Sequence, residues 1–464
     1  MDRIQIGDAG PPGRRRVRVL AVIRSRIAAA HPDHHAIAKG MAWVALFVFL
    51  GKLTGAAKEM ALAYRYGVSE EVDAYLFVLN LVNWPVGVWF SVLLSVLVPL
   101  AARMRQDATA ELPRFRAELF GLALLIGLTL ATLAWLGLPS LLRAPWTGLP
   151  ATTVALASEM VPALVFLMPL GVIISLFSVW MLAAGRHANT LLEGVPALVI
   201  ALAVLMLPGG GIEPLVWGTL AGFAFHLTSL AIPLAGRGEI QPPRFTLRSP
   251  HWSSFWQGFG ITLAGQALMS FVGIIDQFFA AHLGTGAIAT LSYANRILAL
   301  IIGLGATAVS RATLPIFSKT EAQGGAQGHR LASHWVRLLF LLGVVAMIVA
   351  WGSARWAVQL LFERGAFTAE DTLTVSEVLR VGLLQLPFYF ANLVLVSVLA
   401  SQREYKLIAI GASVNLLAKL GANWALVPLM GVSGIIAATA FMYMVSFALL
   451  WWFSVSFTKQ RNAL

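Results

Sequence analysis

Cysteine is absent from all 464 residues. That absence excludes disulfide frameworks, thiolate metal sites and cysteine nucleophiles, and it leaves the redox compartment unspecified. Charge is scarce too: Asp, Glu, Lys and Arg make up 12% of the chain and hydrophobic residues 58%, where a soluble domain carries roughly 25% and 45–50%. A water-facing surface cannot be built from this composition. Also missing are an HExxH pair, a paired-carboxylate motif and a glycine-rich phosphate loop, so enzymatic chemistry is not expected and no cofactor is called for.

What is present is a succession of apolar runs, each long enough to cross a ~30 Å hydrocarbon layer as a helix, without the sustained period-two alternation of a membrane barrel. The expected spans lie at about 40–64, 73–101, 117–141, 153–183, 190–208, 214–235, 254–281, 286–316, 335–360, 373–400, 407–428 and 433–457. The fold class expected is therefore an all-α integral membrane protein of about 12 transmembrane helices.

The formal net charge of +12 would point to nucleic acid or anionic lipid if it covered a soluble face. Instead it is sorted by loop. The arm before the first span, the loops after even-numbered spans and the tail hold 23 Lys and Arg residues, including Arg103, Arg114, Arg186, Arg244 and Lys319. The opposite loops offer only Arg65, Arg143 and Arg364. The positive-inside rule puts both termini in the cytoplasm, and no nucleic-acid partner is expected. The arm lacks an apolar core followed by a small-residue cleavage site and is not a secretory signal. Its His31, His34 and His35 read as a solvated tail.

Compared with itself, the chain shows one informative offset. KEMALAYRYGVSEE, starting at Lys58, aligns with IDQFFAAHLGTGAI, starting at Ile275, so Glu59 and Asp276 each stand eight residues before a glycine, Gly67 and Gly284. VPLAAR at 98–103 matches LPIFSK at 314–319 near the same offset. An even number of helices per repeat means both enter the membrane in the same direction, as in carriers that bind substrate between two parallel halves. The expected organisation is an arm at 1–39, a six-helix lobe at 40–235, a linker at 236–253, a second six-helix lobe at 254–457 and a tail at 458–464, with a central cavity between the lobes.

Charges in mid-span cost at least ~2.5–3.5 kcal/mol each and so face water or a partner. The candidates are Lys52, Lys58, Glu59, Asp276, Arg296, Arg311, Arg380 and Lys419. Lys52 and Glu59 are almost two turns apart and share a helix face, with Gly55 between them. Arg311 and Arg380 stand near enough to helix ends to snorkel. Six of these eight charges are cations, which suits an anionic head group such as a diphosphate, since arginine offers a planar fork and lysine a point charge. Asn415 and Lys419, four apart, share a face from which Lys419 reaches Asp276 as a tethered cation. Coupling through Glu59 or Asp276 to sodium or protons, or to the membrane potential, stands beside that reading. Pro85, Pro162, Pro169 and Pro387 lie inside apolar spans and permit bends.

GKLTGAAKEMALAYRYGVSEEVDAYLFVLNLVN at 51–83, SYANRILALIIGLGATAVSRATLPIFSK at 292–319 and LFERGAFTAEDT at 361–372 together resemble the MurJ (MviN) lipid II flippases, relatives of multidrug extruders and polysaccharide exporters. The resemblance implies a carrier of the bacterial inner membrane that moves an undecaprenyl-pyrophosphate-linked glycan from the cytoplasmic to the outer leaflet by alternating access. It also implies that Lys52, Lys58, Asn83 and Arg296 bind substrate and that Asp73 belongs to the site; with Asp73, the residues placed within the spans, Glu59, Asp276, Asn415 and Lys419, are the candidates for gating or coupling. The sequence departs from the family pattern in three places. Paired arginines expected after Asn83 are replaced by Pro85, Val86 and Gly87, the aspartate before Arg296 is Asn295, and an acidic position three residues after it is Ala299. These departures keep an exopolysaccharide repeat unit open as the cargo beside lipid II. A cation-coupled drug extruder is the third reading; its site would prefer carboxylates over this excess of cations.

Overall fold

The computed structural model describes residues 32–106, 111–186, 188–322, 325–402 and 404–461. Most of the arm at 1–39, including His31, lies outside them, as do the side chains of His34, His35, Arg311 and Lys319. The chain divides into two compact units, Met1–Leu50 and Gly51–Leu464. Of the first, the described residues are helical and begin α1, Pro32–Tyr66. Everything below concerns Gly51 onward.

The described residues hold no strand. The helices that follow are α2 (Glu70–Gln106), α3 (Leu112–Leu142), α4 (Ala151–Leu164), α5 (Leu167–Ala183), α6 (Ala188–Leu192), α7 (Val195–Met206) and α8 (Glu213–Ala235). After an extended stretch come α9 (Trp252–Ala281), α10 (Ala287–Ala322), α11 (Gly325–Phe362), α12 (Ala369–Leu383), α13 (Leu386–Ser401), α14 (Tyr405–Met430) and α15 (Val432–Arg461). Among the described residues, eight helical segments are long and apolar enough to cross a membrane, or nine if the bent pair α4–α5 counts as one. With every backbone donor satisfied inside its own segment, helices suit a hydrocarbon environment, and large apolar side chains such as Leu136, Phe225, Trp356, Leu417 and Trp424 face outward.

Local chemistry explains the breaks. Pro169 lacks the amide that would bond the Val165 carbonyl, and the helix is interrupted there, with α4 and α5 meeting at 51°. Pro387 similarly follows the break between α12 and α13. Pro85 differs: α2 runs through it without interruption. Gly67 and Gly284, the glycines matched by the internal repeat, both have left-handed backbone, with φ of +60° and +92°. Each ends the first helix of its half, where a side chain would be strained. α12 opens with a capping box in which Thr368 and Asp371 bond each other's backbone amides.

Helices α2–α5 pack among themselves, as do α7 with α8 and α10 with α12 and α13. α9 leans mainly on α2 of the first half and more lightly on α14 of the second. The stretch joining the halves is pinned rather than slack. The buried carboxylate of Glu118 on α3 accepts from Thr246 Oγ1 (2.9 Å), the amides of Arg248 and Ser249, and Trp252 Nε1 (2.7 Å). The Arg244 amide adds a bond to the Ala117 carbonyl.

Candidate functional site

Two cavities open where α2 faces the second half. The central chamber, about 490 Å³, is walled by α2, α9 and α10 and lined by Asn80, Asn83, Trp84, Gln277, Asn295 and Arg296 among others. A side chamber of about 540 Å³ lies within the first half, walled by α1, α2, α5, α7 and α8. Asn80, Asn83, Gly87 and Arg296 line both, so the two are joined.

Glu59 sits at this junction. Its carboxylate is buried and lies 3.0 Å from Lys58 Nζ and 2.5 Å from Arg296 Nη2, which reaches it from α10. Two cations share one anion, leaving a local excess of one positive charge. The Arg296 side chain keeps 42% of its surface exposed and presents it to both chambers. Charge-assisted contacts of this kind fix both side chains in place before any ligand arrives. Lys52 lies outside both linings; a β-carbon added at Gly303 of α10 would come within 2.9 Å of its Nζ.

Asp276 lines the central chamber, and Lys419 answers it from the second half. Lys419 has no exposed surface, and its ammonium is surrounded by Asp276 Oδ1 (2.9 Å), the Ile435 carbonyl (2.7 Å) and Thr439 Oγ1 (2.5 Å). Asn423 Nδ2 donates to the same Asp276 oxygen at 3.2 Å. Asn415, one turn before Lys419, donates to Ser446 Oγ at 3.1 Å and lines neither chamber.

Asp73 lies outside both chambers. Its carboxylate accepts from the amides of Gly286 (2.6 Å) and Ala289 (2.7 Å) and so caps the N-terminus of α10 from the opposite half. Nearby, Tyr293 OH donates to the Gly67 carbonyl (3.0 Å) and the Ala366 amide to the Tyr64 carbonyl (2.8 Å). Phe77 meets Phe278 edge to face. These ties hold the two halves of the chain together at the end bearing the α1–α2 and α9–α10 turns.

The sequence departures fall on this site. At Gly87 an added β-carbon would meet nothing within 4 Å, so the place of an expected arginine is open space beside both chambers. Asn295 and Ala299 line the central chamber. Missed by the sequence reading were Glu118, which pairs with Arg114 one turn before it but takes its hydrogen bonds from more than a hundred residues away, and the amide-bearing Asn80 and Gln277. Asn80 stands three residues before Asn83 on the same helix face, the one signal that was available.

The same arrangement of helices occurs in solved membrane carriers. A structure titled lipid II flippase MurJ, inward closed conformation, matches with a TM-score of 0.77 at 21% identity, covering 89% of this chain and 87% of that one. An inward-facing multidrug resistance transporter of the MATE family matches with a TM-score of 0.73 at 15% identity, covering 89% and 96%. The protein thus has the helical fold that these two carriers share.

A family model described as lipid II flippase MurJ matches residues 62–461, and the chain belongs to that family. Among curated relatives, the lipid II flippase MurJ of Burkholderia cenocepacia is 23% identical over 430 residues, 84% of this chain and 78% of that protein. The probable lipid II flippase MurJ of Bdellovibrio bacteriovorus is 28% identical over 262 residues, 53% of this chain, and the match spans half of that relative's length. Proteins of this family are transporters embedded in the membrane.

Proposed function

We propose that this protein is a lipid II flippase of the bacterial inner membrane, carrying the undecaprenyl-pyrophosphate-linked head group from the cytoplasmic to the outer leaflet. Membership of the family supports the cargo, and the observation that carries the reading at this site is the cluster in which Lys58 and Arg296 share Glu59. An anionic diphosphate entering there meets a pre-set fork and a point charge, while Glu59 keeps the two cations from repelling one another. The amides and hydroxyls of the central chamber offer bonds to sugar.

In this reading twelve helices form two parallel six-helix lobes, with both termini in the cytoplasm as the distribution of cations requires. The end tied through Asp73, Gly67 and Ala366 then faces the periplasm as the closed end, and the chambers open inward. Transport is a rocking of the lobes in which the Asp73 cap on α10 breaks and the cytoplasmic mouth closes. The Lys419 ammonium fills an oxygen-lined niche with a cation that never leaves, so the swing needs no bound sodium at that place and answers to the cargo and the membrane potential.

The test is depletion of the protein in its native host, with lipid II and other undecaprenyl-linked intermediates followed by mass spectrometry. A Lys58→Ala/Arg296→Ala variant serves as control. Accumulation of lipid II, uncorrected by the variant, is expected. Accumulation of a different lipid-linked glycan with normal peptidoglycan overturns the cargo, and no change in any such intermediate overturns the flippase.

A further inference from the structure

The two chambers share a neck but differ in chemistry. The central one offers amides, hydroxyls and the Trp84 ring, whose Nε1 donates to Ser270 Oγ at 2.9 Å. Its carboxylate, Asp276, is already occupied by Lys419. The side chamber carries two further polar groups, a carboxylate and a buried imidazole nitrogen that has no partner. The Glu193 carboxylate, between α6 and α7, lines it and accepts only from Asn189 Nδ2 at 3.2 Å; no cation lies within ion-pair reach among the described residues. His226 on α8, 6% exposed, lines it too, and its Nε2 has no hydrogen-bond partner.

Glu193 is exposed and so accessible to a cation entering the chamber, whereas the buried His226 Nε2 lacks the hydrogen bond that burial calls for. Lys58, Asn80, Asn83, Ser175, Ser178 and Thr219 also line it, beside an apolar face of Phe90, Ile174, Ile200 and Phe223. Glycines at 55 and 87, where an added β-carbon meets nothing within 4 Å, keep it open. Arg296 is the one lining residue supplied by the second half. A ligand seated here would therefore move with the first half. Each chamber alone falls within the roughly 300–1,000 Å³ that houses one small ligand, so a head group made of sugars and a peptide calls for both.

We propose that the side chamber is the subsite for a peptide arm bearing a primary ammonium, with Glu193 receiving the ammonium and His226 Nε2 bonding the peptide backbone. This rests on the flippase reading above. The diphosphate at Lys58 and Arg296 marks the neck, the sugars turn into the amide-lined chamber, and the peptide turns the other way into the first half. Glu193 and His226 then become specificity residues, since a lipid-linked glycan without a peptide brings no ammonium to Glu193 and leaves His226 Nε2 unsatisfied.

The experiment uses the full chain in lipid nanodiscs. Binding of lipid II with a free side-chain amine on its stem peptide is compared with that of the same lipid II acetylated at that amine, for the wild type, Glu193→Gln and Glu193→Asp. A charge-assisted hydrogen bond predicts that acetylation weakens wild-type binding about tenfold or more. Glu193→Gln should bind both forms alike, at the level of the wild type with the acetylated form, and Glu193→Asp should recover part of the discrimination. Equal binding of the two forms by the wild type, or an equal effect of acetylation in Glu193→Gln, overturns the subsite and leaves the flippase reading standing. Failure of the wild type to bind either form, where a peptide-free lipid-linked glycan binds, overturns both.

Discussion

Replacing Lys419 with methionine keeps most of the side chain's length and apolar stem and removes its ammonium. Three oxygens each lose one contact at once: Asp276 Oδ1, the Ile435 carbonyl and Thr439 Oγ1, with only the neutral Asn423 amide left on Asp276 Oδ1. Breaking a buried ion pair by deleting one partner costs about 3–5 kcal/mol, because the remaining charge is left without compensation. That is roughly a hundred- to several-thousand-fold change in the ratio of folded to unfolded protein. The double variant Lys419→Met/Asp276→Asn removes the orphaned charge as well and should recover most of the loss, since replacing both partners together is often close to neutral. Unfolding by denaturant in bicelles, run as a double-mutant cycle, reads the coupling. A second arm uses Lys419→Ala, which leaves an oxygen-lined gap of the right chemistry for a small hard cation. Sodium chloride should stabilise that variant relative to N-methylglucamine chloride at equal ionic strength, and leave the wild type unchanged. A Lys419→Met protein as stable as the wild type, or a double variant no better than the single one, would refute the reasoning.

Four further outcomes follow from the site. Arg296→Lys keeps the charge but loses the fork, and roughly a tenfold loss of lipid II affinity is expected, with Arg296→Ala costing more, both measured in nanodiscs. Because the chain has no cysteine, Ser292→Cys in the central chamber can be labelled on a clean background. Adding Asp73→Ala, which strips the cap from α10, should raise labelling by an impermeant maleimide applied from the periplasmic side severalfold, and no rise counts against the sealing role. In Gly67→Ala the new β-carbon would stand 2.5 Å from the Ala366 carbonyl oxygen at a φ of +60°, so the same labelling should rise and the apparent melting temperature fall. Gly87→Arg places a guanidinium in open space beside the neck. It should fold normally and bind a diphosphate head group roughly tenfold more tightly at low salt.

How far the sequence alone reached depended on the range of the interaction. The helices were legible because each is fixed by its own apolar run, and the bend before Pro169 because a missing amide acts within one turn. Pro85 shows the limit: the same chemistry predicts a possible bend, but packing along α2 decides, and α2 continues. The partnership of Lys419 with Asp276 could be anticipated, since a buried cation at membrane depth needs an anion and few were on offer. Lys58 and Glu59 are neighbours in the chain, yet the arrival of Arg296 at Glu59 across 237 positions depends on how α1 faces α10. Glu118 was overlooked for a related reason. Three of its four hydrogen-bond donors come from a stretch without helix and the fourth from the first residue of α9, where no periodicity announces a binding surface.

The two cavity-side acids are used unequally. Around Glu59 the first half of the chain remains hollow, with open glycines and an unsatisfied imidazole nitrogen; at Asp276 the second half supplies its own lysine. The first half is thus free to follow the chemistry of its passenger, and the second acts as a keel. Among relatives of this protein that carry different cargo, changes should gather on α2, α5, α7 and α8, while the trio of Asp276, Lys419 and Thr439 drifts as a set or not at all.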